Sequence, residues 1–240
     1  MFKTLLFSLC LFLFTSCSVQ KGYIKFDGNN KDEIISSIAI KKHLKKHPNS
    51  SIVLRVPNAS NRSTETEDNS YIYNAIEKEL ILNGFDVKDR GLYNEVISKS
   101  KDISYEEIKR ITGTDLILEV VQFTQQEYKT NKFYNMDGKE LVEPGIEFKM
   151  LGAIIEFKIT IIEGNIHGGS YSFYYTPCVT QTSGCECEVI YKPMPQTVYL
   201  NRSFCNDPKV DEKGYETVPT DLYSDFVRAN VRLMLQGIQK

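Results

Sequence analysis

The spacing of apolar residues changes along this chain, and each change of period predicts a change of element. Leu5 to Phe14 is apolar except for Ser8 and Cys10, and the small residues Thr15 and Ser16 follow. Ten helical residues cover about 15 Å, half the roughly 30 Å of a hydrocarbon core, so residues 1–16 read as a signal peptide and not as a span. Residues 17–31 are polar on average and read as a tether, which at full extension reaches about 50 Å. Ile34, Ile35, Ile38, Ala39 and Leu44 then fall at approximate helical spacing, and Pro48 stops them, so Asp32 to His47 is expected to be a helix. Ser51 to Pro57 is a short apolar run of the kind a buried strand carries, and Asn58 to Asn69, polar and Ser/Thr-rich, reads as a mobile loop.

Tyr71, Ile72, Ala75, Ile76 and Leu80 share one helical face, with Asn69 or Ser70 available as amino cap and Gly84 placed to end the helix. Phe85 to Val87 reads as a short strand, Asp89-Arg90 as a turn and Leu92 to Ser98 as a helix. Ser104 and Glu107 fit a capping box, which predicts a helix over 105–112 until Gly113. Leu116 to Phe123 is an apolar strand. Thr124 to Gly145 is polar, with a turn at Asp137-Gly138, and Lys149 to Ile162 is the longest strand. Gly164 to Gly169 turns that strand into Ser170 to Tyr175, an antiparallel hairpin. Short strands follow at Val189–Tyr191 and Thr197–Phe204, and a last helix runs from Thr220 or Asp221 through Leu235. The expected fold is α/β in the α+β sense: one domain over residues 32–240, a mixed sheet flanked by helices, with an irregular insertion at about 176–219.

Composition narrows the class. Of 240 residues, 41% are hydrophobic and 25% charged, which argues against disorder, collagen-like repetition and a polytopic membrane protein. Lys plus Arg is 29 and Asp plus Glu is 31, a balance that gives no pull toward nucleic acid. The charge is uneven locally: Lys41, Lys42, Lys45 and Lys46, with His43 and His47, crowd the end of the first predicted helix. A helix carboxyl end favours cations, and contact with an anionic lipid or glycan is the other use for such a cluster.

The residues with chemistry are few. Cys17 follows Leu13-Phe14-Thr15-Ser16, which resembles the bacterial lipobox and makes Cys17 the expected lipidation site, carrying palmitate-type acyl chains. Cys178, Cys185, Cys187 and Cys205 are four further cysteines in a chain addressed out of the cytoplasm, and read as two disulfides. A bond from Cys185 to Cys187 would strain its ring, so one of these pairs with Cys178 and the other with Cys205. The same four thiolates could hold zinc, but the C-x6-C-x-C-x17-C spacing lacks paired C-x2-C knuckles, so no metal is expected. His43, His47 and His167 are the only imidazoles, and no G-x-S-x-G, H-E-x-x-H or phosphate loop occurs. Glu106-Glu107 and Asp32-Glu33 fall where helix amino ends want negative charge. No catalytic residue, cofactor or enzymatic activity is therefore expected. Tyr171, Phe173, Tyr174, Tyr175, Tyr191 and Tyr199 read as cross-strand packing, with a carbohydrate platform as the alternative.

Ile52-Val53-Leu54-Arg55-Val56-Pro57-Asn58, Gly84-Phe85-Asp86-Val87-Lys88-Asp89-Arg90 and Thr112-Gly113-Thr114-Asp115-Leu116-Ile117-Leu118 resemble the curli secretion lipoprotein superfamily, whose relatives include lipoprotein activators of penicillin-binding proteins. The resemblance covers about 70 residues. It implies a strand ending near an Asn, a second strand leading to the Asp89-Arg90 pair, and a Gly-x-Asp that opens the next strand. Asp89 and Arg90 are expected to be structural. The functional expectation is a lipid-anchored, non-catalytic binding or assembly module of the outer membrane, facing the periplasm and meeting an envelope protein or its own copies. A curli-type secretion-pore subunit is the alternative, and an activator of a cell-wall synthase the second. Against the pore, residues 125–150 alternate poorly and Pro193 and Pro195 interrupt the later strands.

Overall fold

Ile52, Val53 and Leu54 sit in a run with no polar alternation, the pattern of a strand covered on both faces. The computed structural model, which describes residues 19–28, 30–55, 70–99, 104–179, 187–193, 196–200 and 209–239, places them in the third of eleven strands. The order is β1 (Gln20–Tyr23), β2 (Glu33–Ser36), α1 (Ile38–Lys46), β3 (Ser51–Arg55), α2 (Ser70–Leu82), β4 (Asp86–Lys88), α3 (Arg90–Lys99), α4 (Tyr105–Thr112), β5 (Leu116–Thr130), β6 (Lys132–Asn135), β7 (Glu140–Val142), β8 (Phe148–Ile161), β9 (Ile166–Tyr175), β10 (Glu188–Pro193), β11 (Gln196–Leu200) and α5 (Thr220–Gln239). Helices and two sheets, one of mixed direction and one antiparallel, make this an α+β fold.

The chain divides into two compact units, each assembled from three segments: 1–29, 127–151 and 176–217 in the first, and 30–126, 152–175 and 218–240 in the second. One domain was expected. The insertion expected at about 176–219 falls almost wholly within segment 176–217, which with 127–151 and the amino-terminal strand makes up a unit with its own core.

In the second unit the sheet runs β2-β9-β8-β5-β3-β4, with β3 parallel to both β4 and β5. Side chains alternate across it. Ile52 and Leu54 of β3 and Leu118 of β5 join Ile72, Ile76 and Leu80 of α2 and Val227, Val231 and Met234 of α5 in one core. Val53 and Ile117 point the other way, to Tyr93 of α3 and Ile108 of α4. Each fully buried aliphatic side chain of this kind contributes about 1.5–3 kcal/mol of transfer free energy. The hairpin of β8 and β9 forms as expected, with a register shift at Ile159/Thr160.

Residues 32–47 depart from the expected helix. Glu33 to Ser36 pair antiparallel with Ser172 to Gly169, and only at Ser37, whose Oγ accepts the Ile40 amide at 3.3 Å, does helix α1 begin. Helical spacing of Ile34, Ile35 and Ile38 was accidental: the unpaired edge of β9 offered ladder bonds that helix propensity could not match.

In the first unit the sheet is β11-β10-β1-β6-β7, all neighbours antiparallel. Here the expected tether is a strand. Gln20 to Tyr23 lie between β10 and β6, and Ile24 and Phe26 bury themselves with Phe133, Phe148, Met150, Val189, Tyr191 and Val198. A Cβ at Gly22 would run into the Tyr134 carbonyl oxygen and press on Val189, so the close approach of β1 to β6 needs glycine there. The polar stretch after Thr124 is ladder as well, its pattern hidden because β5 continues to Thr130 and β6 and β7 are short. Cys178 and Cys187 form a disulfide inside this core. The expected loop at 58–69 lies outside the described residues.

Candidate functional site

Helix α4 delivers a polar cluster to the second unit. Ser104 Oγ accepts the Glu107 amide at 3.2 Å, Glu106 and Glu107 sit in the first turn, and Gly113 at φ +66° ends the helix with its N–H on the Lys109 carbonyl. The tight exit drops Asp115 beside the first residue of β3. Asp115 Oδ2 accepts the Ser51 amide at 3.2 Å and lies 2.7 Å from Ser51 Oγ, which receives the Asp115 N–H at 2.9 Å. The Gly113 carbonyl, also 2.7 Å from Ser51 Oγ, shares its single proton. Lys109 Nζ bridges Asp115 Oδ1 at 3.3 Å and Glu163 Oε2 at 3.4 Å. Burial opposes charge on Asp115, but the Ser51 bonds and the Lys109 ammonium overcome it and hold the carboxyl below the usual carboxylate range.

His43 borders this cluster. Its Nε2 is 3.2 Å from Ser50 Oγ, whose own proton goes to the His47 carbonyl at 2.7 Å, so the imidazole is the donor. Burial first, then the neighbouring His47 and Lys109, lower the His43 pKa, against smaller upward pulls from Asp115 and Glu163. Ser, His and Asp thus stand close together, yet they are wired as separate pairs: Asp115 holds Ser51 and His43 holds Ser50. A nucleophilic triad needs one imidazole bonded to both the hydroxyl and the carboxylate. The cluster also lies at the amino ends of β3 and β5, whereas ligand crevices of parallel sheets open at the carboxyl ends. What this arrangement does is lock two parallel strands in register.

A second polar centre was missed in the sequence. Glu79 of α2 is only 4% exposed at its side chain, with Arg228 Nε at 3.2 Å and Arg232 Nε at 3.5 Å, both from α5, and Asn83 Nδ2 at 3.2 Å. The signal was present: Glu79 falls within the apolar stripe Ile72, Ala75, Ile76, Leu80, where a carboxylate demands a cation. Asn230, also buried on α5, has no hydrogen-bond partner for its Nδ2 among the described residues.

Of the residues singled out in the sequence, Cys17, Cys185 and Cys205 lie outside the described residues. Cys178 joins Cys187, one of the two partners left open for it. Asp89 Oδ1 accepts the Leu92 amide at 2.7 Å and caps α3. Arg90 stacks its guanidinium 5.4 Å from the centre of the Tyr73 ring and lies 3.4 Å from Glu77. Both residues therefore secure helices. Asp32 and Glu33 do not begin a helix; Asp32 Oδ1 accepts the Tyr174 amide of β9 at 3.1 Å. His43 and His47 place their ring centres 5.2 Å apart, and His167 Nε2 faces Ser170 Oγ at 3.3 Å. Among the described residues no three His, Cys, Asp or Glu side chains come together in a metal-binding group.

Three of these aromatic residues pack on other rings, one of them on a neighbouring strand and one on helix α5. Phe173 meets Phe157 edge-on at 6.2 Å, Tyr175 meets Phe226 at 5.7 Å, and Tyr191 meets Phe133 at 5.1 Å. Tyr171 is buried, and Tyr199 is half exposed. Since 171–175 and 191–199 belong to different units, they form no single platform within either.

The chain matches no protein-family profile and no curated protein. Among solved structures, a PDZ domain protein from Parabacteroides distasonis aligns with 95% of this chain at 14% identity and a TM-score of 0.28. This chain spans 38% of that one. A likeness at this level carries no argument about fold or function.

Proposed function

We propose that this chain is a lipid-anchored, non-catalytic binding or assembly module of a bacterial outer membrane, facing the periplasm and related to the curli secretion lipoproteins. The observation that carries the reading is the apolar leader ending in Leu13-Phe14-Thr15-Ser16-Cys17. The Cys178–Cys187 bond supports it, because disulfides persist in oxidising compartments. So does the character of the polar clusters, which serve strand register and helix packing. The parallel β3, β4 and β5, with the Asp115 turn at their start, agree with the order of elements the resemblance implies.

The short lead from Cys17 to β1 sharpens the choice among roles. Since β1 begins at Gln20, only Ser18 and Val19 intervene, and the first unit stands within about 10 Å of an anchor at Cys17. That favours a partner at the membrane surface over a synthase reached across the cell wall.

Mass spectrometry of protein extracted from membranes tests the anchor. The expected species begins at Cys17 and carries acyl chains; a mature chain with an unmodified Cys17 thiol overturns it. Light scattering on the detergent-extracted protein then separates the module, expected as a monomer or small oligomer, from a pore subunit, which would give a discrete large ring.

A further inference from the structure

We propose that the outer face of α1 is an electrostatic docking surface for an anionic lipid bilayer, a contact made by the folded unit itself and independent of acylation at Cys17. At about 100° per residue, helix Ile38–Lys46 buries Ile40 and turns Ile38, Lys41, Lys42, Lys45 and Lys46 into an arc of roughly 140° on the opposite side. Ile38 is 72% exposed, and Ile35, just ahead of the helix, is 61% exposed. An apolar residue beside a row of ammonium groups is the composition of a surface that rests in the headgroup layer.

Two observations set this face apart from an ordinary solvated helix end. First, the helix dipole accounts only for His43, Lys45 and Lys46 in the last turn; Lys41 and Lys42 lie before it, beyond the range of that effect. Second, the cations have no counter-charge among the described residues. No Asp or Glu occurs between Glu33 and Glu65 in the sequence. Elsewhere lysines are matched, as in Lys21–Glu188, Lys132–Glu140 and Lys213–Glu127, whereas none of the four on α1 makes an ion pair among the described residues. Asp115 and Glu163 bear on His43, at the flank of the helix, and are themselves held by Lys109. Four ammonium groups without an ion pair among the described residues, in a chain of net charge −2, complement a layer of phosphodiester headgroups.

The test is partitioning of the full chain carrying Cys17→Ser, synthesised without membranes so that no acyl chain is added, onto vesicles of phosphatidylcholine alone or with about one-third phosphatidylglycerol. The leader is common to all samples. Each lysine at an anionic surface is worth about a fivefold factor in binding, attenuated by salt. The expected result is at least about tenfold preference for anionic vesicles, shrinking as salt rises and abolished by Lys42→Gln/Lys45→Gln/Lys46→Gln. A control, Lys139→Gln/Lys158→Gln/Lys192→Gln, makes the same change in net charge at exposed sites elsewhere and is expected to keep the preference. Circular dichroism and thermal unfolding confirm that both variants fold. Equal binding to both vesicles, persistence of the preference in the α1 variant, or its equal loss in the control overturns the proposal. Retention on heparin without vesicle binding also overturns it, and assigns the face to an anionic glycan.

Discussion

Asp115 sits between two opposing influences, burial that would raise its pKa and bonds from Ser51 and Lys109 that lower it, and the bonds win. A carboxyl held below its unfolded value of about 3.9 contributes stability above that pH and loses it as pH falls through the lower, folded value. His43 has the same sign for a different reason. Its folded pKa lies below about 6.5, so its neutral form is favoured by folding, and that contribution is complete above pH 6.5 or so and lost on acidification through the lower folded value. Asp115→Asn is therefore expected to lower stability near neutrality by about 1–2 kcal/mol and to flatten the limb of the pH–stability curve below pH 4 or so, leaving the His43 limb in place. Urea denaturation across a pH series measures both. An unchanged acid limb would mean that Asp115 is not the group whose pKa the fold lowers. The signal for this residue was legible, since Gly-x-Asp after a capped helix was read as the opening of a strand; its bond to Ser51, 64 positions away, was not.

At the scale of elements, the join between α2 and α5 rests on an asymmetric charge cluster. Glu79 is buried, while Arg228 and Arg232 retain side-chain exposures of 34% and 50%. Removing the carboxylate lets the guanidinium groups turn to water; removing both cations leaves a charge in the interior. Arg228→Ala/Arg232→Ala is thus expected to cost about 3 kcal/mol or more, and Glu79→Gln less than half of that, by chemical denaturation. The reverse order would show that Glu79 is already solvated. Helices α2 to α5 were read nearly to their ends because caps and 3.6-residue stripes are local signals, as at Ser104 and Gly113. What escaped was whatever depends on a distant partner. Gln20–Tyr23 has no strand pattern of its own and is a strand because β6 and β10 flank it, and Glu33–Ser36 was drawn from helix to ladder by β9. The short β6 and β7 were hidden for the same reason.

At the scale of the molecule, the first unit is the smaller core and carries the described cross-link. Closing the loop between Cys178 and Cys187 is worth about 2–3 kcal/mol in the chain-entropy account. Cys178→Ser/Cys187→Ser should accordingly raise amide exchange in β1, β6 and β10 while β3, β5 and α5 keep their protection, read by hydrogen exchange and mass spectrometry. A rise spread evenly over both units would count against a local role for the bond. The interleaving of segments has a further effect, on the order of events in synthesis. β1 is the middle strand of its sheet, yet its residue Gln20 must find Tyr191. A chain synthesised amino end first presents β1 with both ladder edges open until β6 has emerged, and with one still open until β10 follows. Unpaired edges held for that long invite wrong pairing, and contacts of such sequence separation form slowly. The vulnerable period for this protein is therefore the interval in synthesis before β10 is made, and a chaperone that shields the first strand would help it more than any gain in final stability.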